Sequence, residues 1–182
     1  MRNKVLRFGR SRLVSFIALI FTVTVSIAGL SAKGSDVTDR LCQHILENRK
    51  KMILDGATNQ PETVWSDGAI LEVGTNFPPA LQKLISKPTM YRNIRSTIQQ
   101  LETSVSDAQW KDAAASPIVQ GQRYLKVQSL DHKVTVSVEA LYVEYLQQRC
   151  PKAHIRLRSE QGPVVFIMNG QVRAGIMPVV RQ

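Results

Sequence analysis

Apolar residues follow three different rhythms along this chain. Leu13 to Leu30 is an uncharged, mostly apolar run of 18 residues. Between Ser35 and about Ala115 the apolar positions recur mainly at helical spacing. From Gln122 onward they alternate with polar ones, the period of a half-buried strand.

In the middle section, Ser35-Asp36 forms an N-cap for a helix running to about Leu54, with Gly56 as its stop. Val37, Leu41, Ile45 and Met52 line one side, and Arg49, Lys50 and Lys51 suit the C-terminal end of the helix dipole. Val64-Trp65, the Ser66-Asp67-Gly68 turn and Ala69–Val73 predict a small hairpin. Pro79 opens a short helix to about Ser86. A longer helix follows from about Thr89 to Thr103, with Met90, Ile94, Ile98 and Leu101 on one face. Ser106-Asp107 predicts a cap for an Ala-rich helix ending near Ala115.

The last section reads as strands. Arg123–Leu130 and Lys133–Val138 predict a hairpin, followed by a helix from Glu139 to Arg149 that Pro151 ends. Strands are expected at Ile155–Leu157, Val164–Met168 and Gln171–Met177, the last two joined by Asn169-Gly170, a type I′ turn sequence. The predicted fold class is therefore α+β. A helical N-terminal half packs on a mainly antiparallel sheet of about five strands carrying one inserted helix.

The apolar run gives this domain an address. Arg2, Lys4, Arg7, Arg10 and Arg12 precede it, and a cationic start before an apolar run keeps the N-terminus in the cytoplasm and carries the downstream chain across a membrane. Eighteen residues of helix span roughly 27 Å, just enough for a bilayer. Small residues at Ser26-Ile27-Ala28 and Gly29-Leu30-Ser31 equally suit a peptidase site. Residues 1–34 are thus a signal peptide or N-terminal membrane anchor, and 35–182 a single exported domain. Its location is the periplasm or the periplasmic face of the inner membrane, held through residues 13–30 if uncleaved. Secretion from the cell is the lesser alternative.

Charge then changes meaning. The formal net charge of +10 suggests a nucleic-acid partner, but residues 1–34 hold six of the 24 Lys and Arg and no acid. Beyond them 18 cations face 14 acids, scattered rather than gathered on one strip, which excludes a phosphate-backbone binder. Cys42 and Cys150 both fall in the exported part, where a disulfide is the expected state. Closing a loop of that length is worth about 4–5 kcal/mol in the chain-entropy picture.

Catalytic constellations are absent from the pattern. Cys42 with His44 and Cys150 with His154 supply zinc-type ligands, but the first pair diverges around a helix and the second straddles Pro151. No Gly-x-Ser-x-Gly elbow occurs, and His132 beside Asp131 reads as a solvated turn. Glu139 with Glu144, and Glu62 with Glu72, do not specify a paired-carboxylate site. No catalytic, cofactor or metal residue is assigned, and the balance leans against an enzyme.

Surface features are more suggestive. Trp65 and Phe77 lie in loop-rich sequence, either capping the core or anchoring a partner. The hairpin containing Val165, Ile167, Val172 and Ile176 is apolar over many consecutive positions. Such a hairpin is central in its sheet or covered, or else an edge open to strand addition, with Arg173 and Pro178 as guards. The expectation is a non-enzymatic exported envelope protein. It binds another envelope protein as an accessory part of a secretion, pilus or conjugation apparatus. The alternatives are a small periplasmic hydrolase and a secreted effector or inhibitor.

Overall fold

The computed structural model describes residues 37–48, 52–55, 62–84 and 92–179. The expected leader, residues 1–34, lies outside them, and among the described residues no helix is long and apolar enough to cross a membrane.

Nine antiparallel strands form one sheet: β1 (Ile53–Asp55), β2 (Thr63–Ser66), β3 (Ile70–Gly74), β4 (Lys111–Ala115), β5 (Tyr124–Ser129), β6 (Thr135–Glu139), β7 (His154–Leu157), β8 (Val164–Met168) and β9 (Gln171–Ile176). Their order is β1-β2-β3-β9-β8-β7-β4-β5-β6. Among the described residues four helices accompany them: α1 (residues 37–47), α2 (Pro79–Leu84), α3 (Arg92–Ser104) and α4 (Ala140–Arg149). The sheet curls at its far end. Beyond β9, Met177 N donates to Ala69 O and Val179 N to Ser137 O, so the outgoing chain touches both the β2–β3 turn and the terminal strand β6.

This overturns the helical N-terminal half and the five-strand count. Ile53 and Leu54, expected in the last turn of the first helix, pair instead with Ser66 and Trp65. The Trp65 hairpin is no satellite, because Ile70 pairs with Ile176 and joins it to the main sheet. Residues 111–115, expected as an Ala-rich helix, are β4, bonded to β5 on one side and β7 on the other. Ladder bonds to β5 and β7 on both flanks override the alanines' helix propensity there.

Strand alternation divides the side chains between two faces. On one face Trp65, Ile70, Leu125, Val127, Val136, Val138, Val164, Phe166 and Ile176 enclose α4, whose Tyr142, Val143, Tyr145 and Leu146 are all buried. Val37, Leu41 and Ile45 of α1 cover the same core with an i, i+4, i+8 stripe. On the other face lies α3. Ile94 and Ile98 pack on Val64 and Val73, and Leu101 and Val105 pack near Trp110, Val165, Ile167 and Val172. The molecule is thus three layers, with the sheet in the middle.

Two backbone devices set the β8–β9 hairpin. Asn169 (φ 54°) and Gly170 (φ 76°) both take the positive φ that a type I′ turn requires. Phe166 pairs with Ala174 but Ile167 with Val172, which leaves Arg173 as an extra residue in a bulge. The bulge reverses the alternation, turning Val172 toward α3 while Ala174 and Ile176 face α4.

Helix packing decides the state of the cysteines. Arg40 Nη2 meets Glu144 Oε1 at 2.7 Å and His44 Nε2 meets Glu139 Oε2 at 2.9 Å, so α1 runs antiparallel to α4. Cys42 then lies level with about residue 142, some eight residues and roughly 12 Å along the axis from Cys150. A disulfide needs Cα atoms within about 7 Å. Both are free thiols, and the expected staple is not formed. Protein unfolded without reductant after isolation from its host should therefore take up two equivalents of a thiol-alkylating reagent per chain. Uptake of none would place a disulfide there and disprove this helix register.

Candidate functional site

Three places concentrate chemistry: a buried carboxylate cluster, a histidine cleft and an apolar groove. The cluster joins β2, β3 and α4. Glu72 sits in phase with Ile70 on the core side of β3 and is 1% exposed. Its Oε2 accepts from Trp65 Nε1 and Tyr145 Oη, each at 2.7 Å, and its Oε1 accepts from Arg149 Nε at 2.9 Å. Arg149 also donates to Asn76 O at 2.5 Å. Asp67, in the β2–β3 turn, accepts the Tyr142 hydroxyl at 2.5 Å on Oδ2, and the Ala69 and Ile70 amides at 2.9 Å on Oδ1.

Every one of these carboxylate oxygens is occupied, which is what a buried carboxylate needs to remain in a core. Burial pushes both tyrosines far above the ordinary phenol range, with Asp67 adding to the effect at Tyr142 and Glu72 at Tyr145. Burial also raises both thiols, helped by Asp39 at Cys42 and by Glu72 at Cys150. Neither thiol therefore has the depressed pKa of a reactive cysteine. The cluster braces α4 against the β2–β3 hairpin and offers no group to a substrate.

The histidine cleft is lined by His44, Glu47, Asn48, Gln122, Arg123, Glu139 and Leu141. His44, set aside as a zinc ligand because it diverges from Cys42 around the helix, lies against α4. Its ring is largely covered, contacts Glu139 and stands edge-on to Tyr142 at 5.7 Å between centroids. A His–Glu pair is a feasible acid–base unit and Arg123 lines the same cleft as a cation, but no Ser, Thr, Cys or Lys nucleophile accompanies them among the described residues. Among the described residues no group of three or more His, Cys, Asp or Glu could hold a metal.

The groove lies between α3 and the β3–β9 pair. Ile70, Leu71, Ile94, Leu101, Pro163 and Met177 supply its apolar wall, with Ser66 and Thr97 among the few polar groups and no titratable side chain among the described residues. Its volume is about 500 Å³, within the usual range for a small-ligand site. Gly175 lies in its lining. A Cβ there would meet Leu101 Cδ1 and Val164 O at 3.9 Å, ordinary contact, so no steric necessity requires glycine at this position. A second, polar hollow shares Thr97, Leu101 and Pro163 with the groove and adds Ser104, Trp110, Arg158 and Ser159.

The residues expected to meet a partner are all inside. Trp65 and Phe77 pack edge-to-face in the main core at 6.4 Å. Val165, Ile167 and Val172 fill the core under α3, and Ile176 that under α4. β8 and β9 are central strands, so strand addition there is closed. Asp131 accepts from Ser129 Oγ and from Lys133 N, bonds that lower its pKa, and it holds the turn rather than His132. Glu62 pairs with Arg173 while Glu72 pairs with Arg149, and Glu139 and Glu144 have separate partners on α1. Sequence reading weighed Glu72 only against Glu62 and Asp67 only as a turn residue, and gave no role to Tyr142, Trp110 or Arg158. Only Glu72 carried a signal, a charge in phase with the buried residues of its strand.

No protein-family model, curated protein or solved structure matches the chain.

Removing Glu72 should strand Arg149 and leave Trp65 and Tyr145 without an acceptor. Glu72→Ala is expected to lower stability by about 3–5 kcal/mol in urea unfolding, and Arg149→Ala by less, since two donors to Glu72 remain. Raised folded pKa values mean that the folded chain keeps protons that the unfolded chain gives up. Stability should therefore hold below pH ~8.5 and fall above it, first through the thiols and beyond pH ~10 through the tyrosines. The tyrosine limb should steepen by at most about 1.4 kcal/mol per pH unit per residue, and Tyr142→Phe should flatten it.

Proposed function

We propose that this chain is an exported, non-enzymatic accessory domain of the bacterial envelope that works by binding an envelope component. The observation that carries it is the groove beneath α3, a ligand-sized volume walled by apolar side chains and free of titratable ones among the described residues. General acid–base or nucleophilic chemistry needs ionisable groups in contact with substrate, and binding of an apolar surface does not. The buried carboxylates and tyrosines are committed to one another, which leaves them to stability. The cationic start and apolar run of residues 1–34 support export, with the domain in the periplasm or held at its inner face. A role in a secretion, pilus or conjugation apparatus fits a small domain of this kind.

His44 with Glu139 is the one arrangement that favours a hydrolase instead, and the test includes it. The full chain fused after Gln182 to a phosphatase active only outside the cytoplasm should show phosphatase activity. Ile17→Arg with Ile20→Arg should abolish it, since each arginine adds about 2.5–3.5 kcal/mol to insertion. The purified full chain should give no turnover across ester, amide and glycoside panels. An inactive fusion, or turnover that His44→Ala removes, would overturn the proposal.

A further inference from the structure

The two ends of the sheet are finished differently. β1 is only three residues long, while β6 runs for five residues as a regular strand that pairs with β5 alone. Ser129 N donates to Val134 O and Ala140 N to Arg123 O, so by alternation Val134, Val136 and Val138 turn their backbone groups toward β5. Those of Thr135 and Ser137 point the other way, out of the sheet. Such an edge is a template for a further strand unless something blunts it. β6 has neither a proline nor a break in its register with β5. What lies on it is the chain leaving β9. Met177 N is fixed on Ala69 O, Pro178 has no N–H to give, and Val179 N donates to Ser137 O at 2.8 Å. Among the described residues this is the one backbone bond made to the outer side of Thr135 and Ser137.

We propose that Met177–Val179 is a strap over this edge, and that the edge beneath it pairs two copies of the chain, β6 to β6, when the strap lifts. The edge is complementary to itself. Laid antiparallel about a two-fold axis through Val136, Thr135 of one copy faces Ser137 of the other, and each such pair exchanges both of its backbone bonds. Thr135 and Ser137 are small and uncharged, so nothing repels at the centre of the contact. One step further out, Lys133 of one copy falls opposite Glu139 of the other, a pair of opposite charges. This pairing needs the Ser137 carbonyl, which the Val179 N–H occupies. Strap and second copy therefore compete for a single acceptor. The strap holds it with one bond and carries a half-exposed Met177, whereas the paired strands regain that bond and add those of Thr135 and of the Ser137 N–H. None of this rests on what the groove beneath α3 binds.

Sedimentation velocity of the full chain in detergent, run beside its variants, tests this. Val179→Pro removes the strap's donor and should tighten dimerisation at least about tenfold relative to the unaltered chain. Ending the chain at Met177 should do the same. Val179→Ala keeps the N–H and should change nothing. Thr135→Pro removes an outward-facing donor without touching the β5 ladder, and added to Val179→Pro it should cancel the gain. Thermal unfolding of each variant separates a freed edge from a lost fold, and the shortened chain keeps the test valid if Val179→Pro fails to fold. Dimerisation that neither strap variant tightens would overturn the inference. So would a gain that Thr135→Pro leaves in place, because the copies would then be meeting through another surface.

Discussion

The buried carboxylate of Glu72 is the interaction on which the rest of this fold depends. A charge on the core face of a strand is among the least tolerated choices in a small domain. It is tolerated here because three donors from two directions converge on it: Trp65 from the neighbouring strand, and Tyr145 and Arg149 from α4. Each donor is thereby fixed in rotamer and each element in position. Arg149 passes the constraint on to the backbone of Asn76. Asp67 repeats the device one turn away, tying Tyr142 to the tight β2–β3 turn. Two polar ties at two levels of α4 fix both the height and the rotation of the helix over the sheet. Hydrophobic contacts alone would leave sliding and turning much less restricted.

That anchoring explains why the β1–β3 meander belongs to the main sheet. Its strands are short and contribute few side chains to the core, and an isolated meander of this size is marginal in water. Ladder bonds to β9 and the carboxylate ties to α4 stabilise it from two sides. Once it is attached, the sheet is wider than a single helix can cover on its outer face. α3 shields Val64 and Val73 at one place and Val165, Ile167 and Val172 at another. Between these contacts it passes over Gly175, and the groove is the space that remains. The candidate site is thus a consequence of sheet width set by the buried charges.

The β-rich C-terminal half was legible because its signals are local. Strict alternation over Lys133–Val138, the Asn169-Gly170 turn and the proline after α4 each act within a few residues. The N-terminal half was not, because its strands exist only through distant partners. Ile53 and Leu54 continue a helical apolar pattern and are strand only because Trp65 and Ser66 lie beside them. Ala113–Ala115 carry helix-forming residues and are strand because β5 and β7 flank them. The cysteine pair failed for a related reason. Compartment and parity favour a disulfide, but neither contains the antiparallel register of α1 on α4 that holds the thiols apart. The partner-binding residues were chosen for being apolar in loop-like or consecutive sequence. In a three-layer fold both faces of a central strand are interior, so the same residues are core.

The site that replaced them has a composition that no spacing rule detects. Ile94 and Leu101 lie on an ordinary amphipathic stripe, Gly175 looks like a turn residue, and Trp110 and Arg158 are nearly fifty positions apart. Each departs from expectation only when placed: a helix stripe only partly covered, a strand glycine with an ordinary φ, an indole donor without an acceptor, an arginine facing a neutral amide. Taken singly, each is within the normal imperfection of a small domain. Ile94, Leu101 and Gly175 line one groove, and Trp110 and Arg158 line a second hollow that shares Thr97, Leu101 and Pro163 with it.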